Sequence, residues 1–365
     1  MFTGSSHWDR VGMTLTRLRT GLRAGLALLL GLPIAFYGAL HVVALSKDGF
    51  SVHDALGSLP LPLGLTLLAV AIALPWRHRG EGSWKSRLVA TPAVLVGALF
   101  VLMPMCMGLY ETHKWRGDVG SAPSAAYRDV TFEASDGVKL SGWYRPSANG
   151  ANVIVVHGGG SDRRGSVAHA SLLARHGYGV LLYDSRGRGR SEGRQNAWGW
   201  GWKNDVEGAV AFLKARPEVD ESRMGALGLS SGADALVQVA GTNRDLKAYV
   251  ADGTAASSYD DVHEVMGINL ATPMWLTNFA TVRLASGTTP GPTMIDMVPR
   301  LTAPMLMIAA GGPEKPWGEA YDRAAGDRPL DVWYLPKATH TAAIRQVAPA
   351  YERRVTEFFD RALAG

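Results

Sequence analysis

The sequence contains one cysteine, Cys106, in 365 residues. A single thiol excludes an intramolecular disulfide framework and a zinc site built from cysteines, and it carries no information on the redox compartment. The net charge is +5, yet the Lys and Arg form no basic stripe with interleaved aromatic residues, so we expect no nucleic-acid partner. None of the glycine-rich stretches is followed by G-K-[ST], which argues against a nucleotide-binding phosphate loop.

Charged residues are almost absent from three apolar runs in the first third of the chain. A helix needs about 20 apolar residues to cross a bilayer core. We therefore expect a membrane region over 24–110 with three transmembrane helices, at about 24–45, 55–75 and 88–110. The second run is the weakest, so two spans are the alternative. A cleaved signal peptide fits the first run poorly, because the run is too long and lacks a small-residue cleavage site before Lys47.

The basic residues that flank these runs predict the orientation. The N-terminal tail, 1–23, has four of them, the first loop has one and the second loop has four: Arg10, Arg17, Arg19 and Arg23; Lys47; Arg77, Arg79, Lys85 and Arg87. Cytoplasmic loops hold the excess of Lys and Arg. We therefore expect a multi-pass cell-membrane protein with a cytoplasmic N-terminus. Three spans would place everything after residue 110 on the outer side.

The chain after residue 110 has a different pattern. A linker over 111–123 leads into a domain over 124–365, where short apolar strands alternate with amphipathic helices. This alternation predicts an α/β fold with a doubly wound, mostly parallel sheet. The connection over about 257–300 is too long for an ordinary loop. It predicts a small helical cap over the carboxyl ends of the strands, although a helical excursion that packs on the core is the alternative.

The stretch "GLSSG" contains a candidate nucleophile. With 43 glycines in the chain, the pattern G-x-S-x-G means little without its structural context. Here a predicted buried strand over 224–229 turns into a predicted helix from 231. Such a turn holds its apex residue in a strained conformation with the side chain projecting. Only Ser230 has glycine two residues before and two after it, so we expect Ser230 to be the nucleophile.

A serine hydroxyl needs a base within hydrogen-bond reach. His340 follows the last predicted strand, where the sites of such sheets gather. His157 comes before a triple glycine and is expected to brace that loop. Solvated or packing positions are expected for the other histidines that follow the apolar runs: His169, His176 and His263.

A carboxylate should orient the imidazole of the base. Glu314, in "GGPEKPW", follows a predicted strand and lies between Ser230 and His340 in the chain. The order Ser, Glu, His is the order expected of this topology. Asp252, after the preceding strand, is the main rival and Asp322 a weaker one. We expect the next helix near 317–325.

Backbone N–H groups should stabilise the oxyanion of the reaction. The N–H of Ser231 lies at a predicted helix start, where the helix dipole favours negative charge. A second donor is expected from the loop "HGGGSDRRG", where glycines allow the backbone to approach a substrate closely. Gly159 is our first choice and Gly160 the second. No metal site and no organic cofactor is expected.

Residues 127–364 resemble the α/β-hydrolase-fold serine hydrolases. The motifs "HGGG", "YDSRGRGRSEG", "GLSSG", "GGPE" and "ATH" occur in that family's order. The resemblance implies an eight-stranded sheet with an antiparallel second strand, Ser230 as nucleophile, His340 as base, and Gly159 with Ser231 as oxyanion donors. The segment "DVTFEASDGVKLSGWYRP" is similar to the esterase and peptidase-like branch that includes dienelactone-hydrolase-like proteins. The chain departs from the family in two places, with Glu as the acid where Asp is more frequent, and with "KATH" before the histidine.

Together these features predict a membrane-anchored serine hydrolase of the carboxylic-ester hydrolase class. It would cleave an ester or related acyl bond through an acyl-enzyme, with a small-molecule or lipid acyl substrate and the bilayer as partners. A peptidase or an acyltransferase acting on lipid or cell-envelope material is the alternative enzyme. A hydrolase fold that binds without catalysis is the alternative of a different class. The oligomeric state is not predicted.

Overall fold

The computed structural model describes residues 7–48, 55–56, 58–77, 96–114 and 116–364. These residues form two compact units. The N-terminal unit comprises Met1–Gly108 with Leu270–Asn278, and the sheet unit comprises Leu109–Asn269 with Phe279–Gly365. A short internal segment, Leu270–Asn278, thus belongs to the N-terminal unit.

The described part of the chain before the sheet contains α1, His7–Asp48; α2, Pro60–Arg77; and α3, Met103–Thr112, which follows a π-helical turn over Ala98–Leu102. Within the described residues, one segment is long and apolar enough to cross a membrane, Leu22–Ala39 of α1. The expectation of three such helices is therefore corrected to one.

The other two runs differ from the expectation for separate reasons. The apolar helical segments Pro60–Leu74 and Ala98–Thr112 are each about 15 residues long, or roughly 22 Å at 1.5 Å per residue. That length falls short of the roughly 30 Å hydrocarbon core. Within the run expected at 55–75, helix α2 begins at Pro60, a residue suited to a helix's first turn. The first part of the run expected at 88–110 lies outside the described residues.

Helices α1 and α2 pack against each other through glycines. A Cβ added to Gly38 would come within 2.4 Å of the backbone nitrogen of Leu61. One added to Gly64 would lie 2.2 Å from the backbone nitrogen of Ala35. No side chain fits in either place, so the two backbones approach more closely than larger residues would allow. Small residues at a helix crossing are typical of packing between apolar helices in membranes.

The sheet unit is built on eight strands: β1, Arg128–Glu133; β2, Lys139–Arg145; β3, Asn152–Val156; β4, Gly179–Tyr183; β5, Met224–Leu229; β6, Ala248–Asp252; β7, Met305–Ala310; and β8, Leu330–Leu335. Their order is β1-β2-β4-β3-β5-β6-β7-β8. β2 is antiparallel to both neighbours, and β3 to β8 are parallel. The predicted doubly wound, mostly parallel sheet with an antiparallel second strand is confirmed.

The central strands are buried along their whole length because helices cover the sheet. Strands β3 to β7 have no exposed residue. Val153 and Val155 lie in one hydrophobic core with Leu173 of α4, Val167–Arg175, and with Tyr351 of α12, Ala348–Ala362. Helix α5, Trp202–Lys214, contacts β1 and β3, and α6, Ser231–Ala240, contacts β5 and β6. Continuous apolar strands are the expected pattern for a parallel sheet covered in this way.

Helices also fill the long connection between β6 and β7. They are α7, Tyr259–Met266; α8, Thr272–Ser286; and the short α9, Met294–Met297. A capping box formed by Ser258 and Asp261 starts α7. These helices occupy the range of the predicted cap, and that they cover the site stays a prediction.

A buried ion pair joins the loops that follow β3 and β4. The Arg163 guanidinium lies 2.7 Å from the Asp184 carboxylate, and both side chains are fully buried. The same carboxylate accepts hydrogen bonds from the backbone N–H groups of Arg163 and Arg190. Every oxygen of this buried charge is thereby hydrogen-bonded, as a carboxylate in an apolar interior requires. Asp184 therefore has a structural role, in holding the two loops together.

Candidate active site

Ser230 occupies the turn between β5 and α6, with φ 51° and ψ −123°. A positive φ is uncommon for a residue with a side chain and costs about 1–3 kcal/mol unless the surroundings impose it. Here the Ser230 N–H donates to the carbonyl oxygen of Asp252, at 2.8 Å, at the end of the neighbouring strand. The Ser230 carbonyl oxygen accepts from the N–H of Asp234 in the first turn of α6. Hydrogen bonds on both sides therefore hold the strained turn.

The two glycines that frame Ser230 are required by close backbone approaches. A Cβ at Gly228 would lie 2.5 Å from the carbonyl oxygen of Gly232. A Cβ at Gly232 would lie 2.6 Å from the carbonyl oxygens of Val156 and His157. Neither position has room for a side chain, so the pattern G-x-S-x-G reflects the geometry of this turn.

A chain of hydrogen bonds connects three of the predicted site residues. His340 Nε2 lies 2.9 Å from Ser230 Oγ, and His340 Nδ1 lies 2.6 Å from Glu314 Oε1. The three side chains come from loops after β5, β7 and β8, so the parallel sheet brings their strand ends together. The Glu314 carboxylate raises the pKa of His340, because its hydrogen bond and charge favour the imidazolium, against a smaller opposing effect of burial.

Glu314 lies in the first turn of α10, Gly311–Ala325, which starts earlier than the expected helix near 317–325. Its second carboxylate oxygen, Oε2, accepts the N–H of Ala310 at 2.6 Å, and the side chain is buried. Pro313 lies in the first turn, where its missing N–H would have no acceptor within the helix, whereas Pro316 lies inside the helix and removes one i to i−4 hydrogen bond.

The rival acid, Asp252, has a different environment. Its carboxylate accepts a hydrogen bond from the Tyr351 hydroxyl at 2.8 Å and is fully buried. Burial raises the pKa of Asp252 to about 7. Its contribution to the site described above is a backbone one, through the carbonyl that holds Ser230. The weaker rival, Asp322, lies in the third turn of α10, eight residues beyond Glu314.

The predicted oxyanion donors lie next to each other. Ser231 is the first residue of α6, so its N–H has no acceptor within the helix. Its hydroxyl donates to the carbonyl oxygen of Ala197 at 2.5 Å. A Cβ at Gly159 would lie 1.9 Å from that carbonyl oxygen and 2.7 Å from Ser231 Oγ. Only glycine fits there, which brings the backbone of 159 beside the start of α6. Gly160, the second choice, is exposed at the same loop.

Two residues around this loop were missed by the sequence analysis. The carbonyl of Ala197 anchors the Ser231 side chain, and no motif marks it. Arg188, buried in the loop after β4, donates from Nη2 to the carbonyl oxygen of Gly159 at 2.5 Å. The alternation of arginine and glycine in "SRGRGRS" was a visible signal, but nothing in it distinguishes the buried Arg186 and Arg188 from their exposed neighbour Arg190.

The other histidines have structural environments. His157 Nε2 accepts the Ser185 N–H at 3.0 Å, and complete burial lowers the pKa of His157 to about 4. It braces the glycine loop against the loop after β4. His169 is buried and packs edge-on against Tyr351, so it is a packing residue. Across the described residues, no group of His, Cys, Asp and Glu side chains could hold a metal ion.

Comparison with solved structures supports the class of protein. The esterase Pf2001 of Pyrococcus furiosus superimposes on 68% of this chain and 99% of its own, with a TM-score of 0.55 and 25% sequence identity. Together with the sheet order and the turn at Ser230, this similarity makes the protein an α/β-hydrolase-fold serine hydrolase.

Comparison with protein families gives the family to which the chain belongs within this class. Residues 73–293 match the X-Pro dipeptidyl-peptidase family (S15 family). The match covers more than half of the chain, and the chain belongs to this family. The matched range includes Ser230 and ends before Glu314 and His340.

Curated relatives match over shorter stretches. An uncharacterised protein of Mycobacterium tuberculosis is 38% identical over 131 residues, 34% of this chain and 45% of that protein. The thiohydrolase aneE of Aspergillus aculeatus is 36% identical over 115 residues, 30% of this chain and 36% of that protein. The chain thus spans less than half the length of these relatives.

The hydrogen bond between Glu314 and His340 predicts a pH dependence. Catalysis by a histidine base needs the neutral imidazole, so kcat/KM for an ester should fall as the pH drops through the raised pKa of His340. In Glu314→Gln, the imidazolium loses its carboxylate partner. The pKa of His340 should therefore fall, so the decline of kcat/KM should move to lower pH. The plateau value of kcat/KM should drop at least about 10²-fold.

The measurement is kcat/KM for a neutral ester from pH 5 to 9 in wild type and both carboxylate variants. Asp252→Asn is the matched comparison, because it neutralises the rival carboxylate at the end of β6, whose charge raises the pKa of His340 less than Glu314 does. The assignment of Glu314 as the partner of His340 would be contradicted if the acidic side of the pH profile shifted in Asp252→Asn and stayed in place in Glu314→Gln.

Proposed function

We propose that the sheet unit hydrolyses an ester or related acyl bond through an acyl-enzyme. The observation that carries this proposal is the continuous hydrogen-bond chain from Glu314 through His340 to Ser230. A nucleophile, a base in contact with it and a carboxylate in contact with the base are the three groups that such chemistry requires. Their presence in one chain of contacts also argues against a fold that binds without catalysis.

Each group has one task in the proposed reaction. Ser230 Oγ attacks the acyl carbonyl carbon while His340 Nε2 accepts the hydroxyl proton. The Glu314 carboxylate stabilises the imidazolium that forms, and the backbone N–H groups of Ser231 and Gly159 donate to the oxyanion. The imidazolium then gives its proton to the leaving alcohol or thiol as the carbon–oxygen or carbon–sulfur bond breaks. Water, deprotonated by the same imidazole, then attacks the acyl carbon. The imidazolium returns this proton to Ser230 Oγ as the bond between the acyl carbon and Oγ breaks, which releases the acid and restores the serine.

The choice of acyl bond rests on the comparisons. A structural neighbour that matches over nearly its full length is named an esterase, and a relative is named a thiohydrolase, which supports ester or thioester cleavage. The family description supports a peptidase as the second candidate. An acyltransferase would share every step up to the acyl-enzyme and differ in the acceptor that resolves it.

The proposal is tested by turnover of two substrates in parallel, a p-nitrophenyl butyrate ester and an X-Pro p-nitroanilide. We expect kcat/KM to be higher for the ester, and Ser230→Ala to lower it at least about 10³-fold. Ser231→Ala should lose much less, because it retains the backbone N–H. Ser222→Ala, at an exposed turn, is the control. Ester turnover that survives Ser230→Ala would contradict the nucleophile, and a preference for the anilide would favour the peptidase.

We further propose that α1 anchors the enzyme to a membrane. Its apolar segment Leu22–Ala39 and its glycine-mediated packing on α2 support this role. The excess of basic residues before this segment supports a cytoplasmic N-terminus. With the N-terminus in the cytoplasm, the sheet unit lies on the outer side only if the chain before it crosses the membrane an odd number of times.

Intact spheroplasts treated with protease test this topology. We expect the sheet unit to be degraded in intact spheroplasts, with a cytoplasmic marker protein protected as the control. Protection of the sheet unit until the spheroplasts are lysed would contradict the outward orientation. Recovery of the protein in the soluble fraction after cell breakage would contradict the anchor itself.

A further inference from the structure

A cavity of about 160 Å³ is lined by the glycine loop that follows β3 and by the loop that follows β4. Four of the side chains that line it are basic and one is acidic: Lys114, Arg116, Arg164, Arg188 and Asp162. The backbone of the loop, at Gly160, also lines it. Neither Ser230 nor His340 belongs to the lining, so the cavity is separate from the hydrogen-bonded site.

The acidic residue forms an ion pair with only one of these basic groups, Arg164, although its charge also favours the charged form of Arg188. Both carboxylate oxygens of Asp162 accept hydrogen bonds from the Arg164 guanidinium, at 2.9 and 2.7 Å. Arg116 donates to the carbonyl oxygens of Ser191 and Gly193, which are uncharged acceptors. The cavity lining therefore keeps an excess of positive charge. Glu111 lies near enough to favour the charged form of Lys114 but does not line the cavity.

Arg188 is the most unusual group in this lining. It is 5% exposed, and its recorded hydrogen bond goes to the Gly159 carbonyl. Its Nε is buried and has no hydrogen-bond partner among the described residues. No carboxylate in that part of the chain forms an ion pair with it. A buried charge is costly unless it is paired, so this guanidinium has the environment of a group that meets an anion from outside.

Lys114 adds a second positive charge to the lining of this cavity. Its Nζ lies 3.4 Å from the carbonyl oxygen of Gly160, its recorded acceptor. Burial and the positive charge of Arg188 lower the pKa of Lys114 to about 8. Two cations that disfavour each other across a small cavity are both stabilised by an anion placed between them.

The glycine loop connects this cavity to the nucleophile. A Cβ at Gly158 would lie 3.3 Å from Ser230 Cβ, and one at Gly160 would lie 3.7 Å from Lys114 Nζ. Gly160 follows Gly158 by two residues, so the Cα atoms of the two glycines are at most about 7 Å apart. A group carried a few bonds from an acyl carbonyl at Ser230 therefore spans the distance from Gly158 to the basic lining at Gly160.

We propose that this cavity binds an anionic group, a carboxylate or a phosphate, carried by the acyl substrate close to the bond that is cleaved. Arg188 and Lys114 are the groups that contact it. The proposal rests on the function proposed above and deepens it, because it makes the substrate an anionic acyl compound. A guanidinium and an ammonium on one anion form charge-assisted hydrogen bonds, the strongest kind available to a protein without a metal.

Binding alone is tested first, in a variant that cannot turn over. Isothermal titration of full-length Ser230→Ala with succinate, and separately with inorganic phosphate, is carried out at constant ionic strength set with chloride. We expect saturable binding of at least one of the two anions, and the preferred one distinguishes carboxylate from phosphate. Adding Arg188→Met or Lys114→Met should weaken it about 10-fold or more.

Arg190→Met is the matched control, because it removes the same charge from an exposed neighbour outside the cavity. We expect it to weaken binding by less than about 2-fold, through charge alone. The proposal is overturned if neither anion binds, or if all three variants weaken binding equally. This result does not depend on catalysis, so it stands apart from a failure of the proposed hydrolase activity. Lys114→Met, at a half-buried position, keeps the test available if Arg188→Met does not fold.

Kinetics then test whether the bound anion belongs to the substrate. The ratio of kcat/KM for p-nitrophenyl hemisuccinate over p-nitrophenyl butyrate is measured in the enzyme with Ser230 intact. We expect Lys114→Met and Arg188→Met to lower this ratio about 10-fold, and Arg190→Met to preserve it. An unchanged ratio in both cavity variants, with anion binding present, would show that the anion is not part of the substrate.

Discussion

The strained backbone of Ser230 is the constraint on which the rest of the site depends. A residue with positive φ at a strand-to-helix turn persists only when its neighbours impose it. Here the end of β6 supplies a carbonyl to the Ser230 N–H, and α6 supplies an N–H to its carbonyl. The parallel sheet sets both partners in place, because β5 and β6 are adjacent and end together. The fold thus determines where the hydroxyl projects and which strand ends can reach it.

The glycine loop after β3 is held from two directions. Buried His157 accepts an N–H from the loop after β4, and Arg188 of that same loop donates to the Gly159 carbonyl. The buried pair of Arg163 with Asp184 ties the two loops together. Rigid support of this kind is what oxyanion donors need, because they must be in place before charge develops. In our proposal Arg188 has two tasks, since it both positions the loop and contacts the substrate anion.

Motifs in the sequence predicted much of this arrangement, because each motif corresponds to a local geometry. The glycine frame of Ser230 predicts a tight strand-to-helix turn, and the apolar strands predict a covered parallel sheet. The sequence alone could not decide whether Glu314 or Asp252 contacts His340, since both carboxylates follow buried strands. Only the three-dimensional placement of α10 and of Tyr351 separates their environments.

Features without a local pattern could not be predicted. Ala197 is a single carbonyl in a long loop, and Arg188 differs from Arg190 only in the direction of its side chain. In the membrane region the sequence predicted more than the structure has. Apolar composition alone overstated the length of helix available to cross a bilayer. Among the described residues, Leu22–Ala39 is long enough, whereas the second and third runs form shorter apolar helices.

The central claim is that Ser230 is the activated nucleophile, and its covalent modification tests this most directly. The full-length protein is treated with a fluorophosphonate, digested, and mapped by tandem mass spectrometry. The account predicts one adduct on the hydroxyl of Ser230, formed much more slowly in His340→Ala, because the base that activates the serine is then missing. An adduct on Ser231 or elsewhere, no adduct in the wild type, or an equal rate in His340→Ala would contradict it.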